Sequence, residues 1–149
     1  TTLSSDSILI PRRLEERDQD RLQSIYRLLQ KTHIEGDLDL RNIPITDLGN
    51  LTSVGGNLSL RNTKITTLGN LTSVGGTLDL RGLKITDLSN LQSVGKSLWL
   101  TDNLITNLGN LQSVGGNLWL RNTPISRLPK EERDRILSRV KVEGVLYFE

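Results

Sequence analysis

The sequence predicts a single α/β repeat solenoid: a right-handed stack of flattened coils carrying a parallel, concave sheet of about six strands. A helix closes the N-terminal end, and a helix plus strand closes the other. Three observations predict it. From Gly36 the chain repeats every twenty residues, as GDLDLRNIPITDLGNLTSVG, GNLSLRNTKITTLGNLTSVG, GTLDLRGLKITDLSNLQSVG, KSLWLTDNLITNLGNLQSVG and GNLWLRNTPISRLPKEERDR. Within each line two leucines stand two apart, followed by aliphatic residues three apart. Proline-initiated amphipathic stretches flank the array on both sides.

In chain order, residues 1–10 carry no pattern. Residues 11–31, PRRLEERDQDRLQSIYRLLQK, read as a helix: Pro11 suits a first turn, and Leu14, Leu22, Ile25, Tyr26 and Leu29 fall on one side. A terminal coil would otherwise present its leucines to water, so residues 1–33 form the expected N-terminal cap. Residues 34–128 hold the five repeats. In the first, Leu38 and Leu40 point to one face of a short strand while Asp37, Asp39 and Arg41 point to the other. From Ile45 the spacing becomes three, through Leu48, Leu51 and Val54, which suits a 3₁₀ turn or an extended left-handed coil and is too tight for an α-helix. Each line is therefore read as strand, turn, irregular convex limb and a Gly-Gly return. One such coil cannot cover its own leucines; stacking coils with strands about 4.8 Å apart does so. Residues 129–149 close the array. Pro129 opens a second helix, PKEERDRILSRVK, with Ile136, Leu137 and Val140 apolar. After it VEGVLYFE echoes IEGDLDLR, so Gly144, Leu146 and Phe148 take the places of Gly36, Leu38 and Leu40 as a sixth rung.

These lines resemble the leucine-rich repeat family, in a short class of twenty residues. They match its LxxLxLxxNxL pattern at the fourth, sixth and eleventh positions, over about residues 34–128. The family's Asn position holds Ile43, Thr63, Leu83, Asn103 and Thr123, and its first Leu gives way to Glu35, Gly55, Gly75, Gly95 and Gly115. The SVGG turns that result are similar to those of receptor L-domains and of bacterial and phage repeat proteins.

Core positions hardly vary between lines, so recognition is expected on the outward columns of the strands. The middle column reads Asp39, Ser59, Asp79, Trp99, Trp119 and Tyr147. Rings on three successive rungs would make an aromatic strip about 10 Å long, and large exposed aromatics anchor interfaces. The plainer alternative is that the rings only stabilise the sheet, each pair by about 0.2–1 kcal/mol. The next column is Arg41, Arg61, Arg81, Thr101, Arg121 and Glu149. Its guanidinium groups can clamp carboxylates or phosphates, unless Asp39, Asp79 and Asp102 pair with them in a solvated lattice. The expected partner surface comprises Trp99, Trp119, Tyr147, Arg61, Arg81, Arg121, Asp79 and Asp102, extended by Lys64, Lys84 and Leu104 on the loops. The concave face of all six rungs covers roughly 300 Å². A stable interface takes about 800 Å² per partner, so the expected target is a peptide or loop tip, or the loops join in.

Other chemistries find little here. The chain of 149 residues has no Cys, which excludes disulfides and thiolate sites, and its net charge of +2 does not mark a nucleic-acid binder. His33 is the only histidine, so no metal site or imidazole-based catalysis is expected. VGKS at Val94–Ser97 lacks the leading Gly of a phosphate loop, since Asn90 stands there. Asn50 and Asn70 open NLT sequons, but Asn90 and Asn110 share the position without one, so the column reads as amides bonding turn backbone. With no apolar run of spanning length and no signal-peptide core, a cytoplasmic location is expected. The expected function is a non-catalytic protein-binding module without cofactor. The alternatives are a self-associating scaffold and a polyanion binder along the arginine column.

Overall fold

A computed structural model describes residues 16–149; Pro11, Leu14 and the expected helix start lie outside the described residues. Helix α1 spans Glu16–Leu28, ending three residues short of the expected boundary. Its Leu22 and Ile25, with Leu29 just after it, are buried in the core that continues into the first coil, as a lid requires.

The stack is a β-solenoid with two parallel sheets where the sequence suggests one. The leucine sheet joins Leu38–Asp39, Leu58–Ser59, Leu78–Asp79, Leu98–Trp99, Leu118–Trp119 and Leu146–Tyr147. The valine sheet joins His33–Ile34, Ser53–Val54, Ser73–Val74, Ser93–Val94, Ser113–Val114 and Lys141–Val142. Register follows the repeat, with Leu58 opposite Leu78 and Val54 opposite Val74. The valine strands occupy what spacing alone assigned to the irregular limb. Their physical origin is the stack itself: an extended pair whose copies lie one coil above and below finds backbone partners on both sides. Two residues are too few to show the alternation by which a strand is recognised. In the limb, the structure forms one 3₁₀ turn, Ile125–Arg127, in the line that leads into helix α2, Lys130–Leu137.

Inside, the leucine, isoleucine and valine columns are sealed, with Leu58, Leu60, Leu78, Leu80 and Ile85 wholly inaccessible. In the column of Ile43, Thr63, Leu83, Asn103 and Thr123, the polar members Thr63, Asn103 and Thr123 each donate to the carbonyl three residues earlier, of Leu60, Leu100 and Leu120. The two threonine hydroxyls thus make the bond within the coil that Asn103 makes with its amide, while Asn103 also donates to Leu80 of the preceding coil. The ends differ. Leu38 in the first rung is 6% exposed, whereas Leu146 and Val145 in the last are 37% and 52% exposed. Helix α2 buries Leu137 and sets Arg133 4.2 Å from the Phe148 ring, but leaves that last edge uncovered.

Close approach at the corner between the sheets explains the SVGG signature. A Cβ on Gly75 would lie 2.2 Å from the carbonyl oxygen of Gly55, and one on Gly95 only 2.1 Å from that of Gly75. The same glycines donate their N–H groups to Val54 and Val74 of the preceding coil at 2.7 Å. The neighbouring column is filled by side chains: Asp37 Oδ1 and Asn57 Oδ1 accept the N–H of Asn57 and Thr77 at 2.7 and 2.8 Å, in the space a Cβ on Gly56 or Gly76 would need. Lys96 breaks this column where the preceding coil offers Thr77 in place of Asp37 or Asn57.

The turn after each leucine strand is left-handed at Asn42, Asn62, Gly82, Asp102 and Asn122, residue types that accept positive φ. Asn62 donates to Asn42 Oδ1 at 2.8 Å and Asn122 to Asp102 Oδ1 at 2.9 Å, so these turns are tied from rung to rung. Asn50 and Asn90 also bond backbone carbonyls of the preceding coil, as the sequence suggests.

Replacing Gly75 by Ala is expected to cost about 2 kcal/mol or more, because backbone must shift to admit the methyl group. Gly36, with nothing within 4 Å of its Cβ position, is the control. Its change to Ala should stay within about 0.5 kcal/mol in urea unfolding.

Candidate functional site

The outward face of the leucine sheet carries one continuous stack. Asp79 begins it. Its Oδ1 accepts the Arg81 backbone N–H at 3.1 Å and Nε–H at 2.9 Å, while Oδ2 accepts from Nη2 at 2.8 Å. Hydrogen bonding to Asp79 pushes the Arg81 pKa above its ordinary value, against the opposing effect of burial. Held this way, the guanidinium lies 4.7 Å from the centre of the Trp99 ring. Trp99 and Trp119 are 4.4 Å apart and 2° from parallel, and Trp119 and Tyr147 are 3.8 Å apart at 12°. The parallel register places the rings at one rung spacing, which brings them face to face.

That geometry decides what the strip can contact. Each indole face is covered by a neighbouring ring or by Arg81, so Trp99 and Trp119, both half-buried, show their edges to solvent. A sugar or base that needs a flat ring face finds none on either indole. Trp119 Nε1 is buried without an acceptor.

Of the other expected residues, Asp102 forms no ion pair with the arginines among the described residues and accepts from Asn122 on the turn, though it lines the same cleft as Arg61, Arg81 and Arg121. Arg61 and Arg121 are exposed and take part in no ion pair among the described residues, whereas Arg41 is matched to Asp39 as Arg81 is to Asp79. The expected charge lattice therefore forms at two rungs and fails at two. Arg61 and Arg121 line one cleft of about 280 Å³ with Arg81, Trp99 and Trp119. A neighbouring cleft of about 460 Å³ is lined by Arg41, Arg61 and Arg81 with Asn42, Asn62 and Gly82, and no acid.

Two features escaped the sequence reading. Ser59 Oγ is buried in the middle column without a partner, so it leaves Arg61 uncompensated. His33 Nδ1 lies 2.5 Å from Ser53 Oγ, twenty residues on and therefore one rung away. This pair is exposed on the valine sheet, and among the described residues no carboxylate is hydrogen-bonded to the imidazole, so the orienting acid of a triad is lacking. Among the described residues no three His, Asp or Glu converge as they would around a metal ion, and no helix is long and apolar enough to cross a membrane. Lys96 leads into a strand, Leu98–Trp99, where a phosphate loop would lead into a helix.

Comparison with protein families, with characterised proteins and with solved structures finds no match to this chain.

If the rings stabilise one another beyond their burial, a double-mutant cycle of Trp99→Leu and Trp119→Leu should give a coupling of about 0.5–1.5 kcal/mol. Strict additivity in denaturant unfolding would mean that stacking contributes nothing of its own.

Proposed function

We propose that this chain is a non-catalytic protein-interaction module of the leucine-rich-repeat type, and that the outward face of its leucine sheet meets the partner. One observation carries the reading: the three aromatic rungs stand on a scaffold that does not need them. The first three rungs pair in the same register with Asp39, Ser59 and Asp79 in that column. Large rings on the remaining rungs are therefore free to serve another end, and tryptophan, tyrosine and arginine are the residues that most often anchor interfaces. The stack is also preorganised, since its rings are already ordered before a partner arrives. A flat row of ring edges beside guanidinium groups suits a peptide or a loop, whose side chains pack between and along them.

The test compares capture of proteins from a lysate of the source cells by the immobilised chain and by its Trp99→Ala, Trp119→Ala form, with circular dichroism showing that both are folded. A partner retained by the first and lost from the second, a weakening of about 2 kcal/mol or more, supports the reading. Equal capture by both removes this face as the contact surface.

A further inference from the structure

In the four rungs that carry an arginine, the outward residue two places before it decides whether its charge is compensated. Asp39 and Asp79 compensate Arg41 and Arg81 at 2.8 Å. Before Arg61 stands Ser59, whose Oγ is buried without a partner, and before Arg121 stands Trp119, held in the ring stack. Two uncompensated guanidinium groups thus remain on the second and fifth rungs, and both open into the cleft that Trp99 and Trp119 line.

Resting on the reading of this face as a partner surface, we propose that it receives an extended acidic segment of a protein partner. Carboxylates four residues apart sit on Arg61 and Arg121, and the side chain midway between them lies beside Arg81 and the edge of Trp99. Distance supports this spacing. Three rung intervals separate the arginines by about 14 Å, and four residues of extended chain span about 13–14 Å. Parity supports it too, because residues i, i+2 and i+4 of an extended segment face the same way. A segment with acids at i and i+3 would turn one of them from the sheet. The cleft also includes Asp102 and Glu149, which repel a carboxylate at other places along the face and so favour the two cationic positions. Planar guanidinium groups match carboxylates bidentately, and Arg81, already committed to Asp79, does not compete for them.

The experiment titrates the full chain with a synthetic peptide carrying Glu at i and i+4 and Val at i+2, read by the fluorescence of Trp99 and Trp119, the only tryptophans. A saturable change is expected, weakened about tenfold by Arg61→Gln and by Arg121→Gln, each removing one charge-assisted contact. Arg41→Gln should bind as the parent does, since that guanidinium is held by Asp39. Peptides with Gln in place of Glu, or with Glu at i and i+3, should bind at least about tenfold more weakly. The proposal is overturned by the absence of a saturable change, by Arg61→Gln and Arg121→Gln binding like the parent, or by loss of the spacing preference. It is equally overturned if inorganic tripolyphosphate binds as tightly, which would make the face a general anion site. Should cellular capture depend on Trp99 and Trp119 while the peptide fails to bind, the interaction-module reading stands and the acidic segment alone falls.

Discussion

Everything in this molecule depends on coils of equal length approaching so closely that backbone touches backbone at one corner. Gly55, Gly75, Gly95 and Gly115 sit where a single methyl group would strike the carbonyl below. Their N–H groups bond the coil beneath at 2.7–2.8 Å, which holds the two sheets at strand spacing on either side of the corner. With that distance fixed, leucines in successive coils seal one another and no large aromatic core is needed. A twenty-residue line that gained or lost a residue would shift every column at once, which is why the length is so constant from Gly36 to Gly115.

The same constraint makes each position in the line a column, and a column amplifies whatever residue it receives. Asparagine amides become a chain of rung-to-rung hydrogen bonds, from Asn62 to Asn42 and from Asn122 to Asp102. Two tryptophans and a tyrosine become a stack within van der Waals contact. The column of arginines shows the converse. A change of one neighbouring residue, from Asp39 to Ser59, turns a neutralised guanidinium into an uncompensated one without disturbing the sheet. Recognition can therefore vary on the outward face at little cost to the fold, because outward and inward residues alternate along each strand.

Much of this was legible in the sequence, for identifiable reasons. The alternation of Leu38 and Leu40 predicts the leucine strand, a shift of twenty residues predicts its register and the pairing of Trp99 with Trp119, and the echo of IEGDLDLR in VEGVLYFE adds Tyr147 to the column. Leu22, Ile25 and Leu29 predict the face of α1 that packs on the core. The valine sheet was not legible, because Ser53–Val54 is two residues long and its pairing arises only from the stack. That Arg81, tied to Asp79, would cover the outer face of Trp99 was not legible either, because it depends on a side-chain ion pair two residues along the strand. The pairing of His33 with Ser53 was hidden in plain numbers, since a separation equal to the repeat puts two residues side by side.

Residue-resolved hydrogen exchange tests the close-packed stack most directly. Gly75, Gly95 and Gly115 belong to exposed residues, yet their amides bond the preceding coil. The account predicts that these amides exchange as slowly as those of Leu60 and Leu80 in the leucine sheet, all opening with the global unfolding of the array. Exchange of the glycine amides at the rate of unprotected loop amides would show that the coils do not touch at that corner, and the constraint on which the columns rest would be gone.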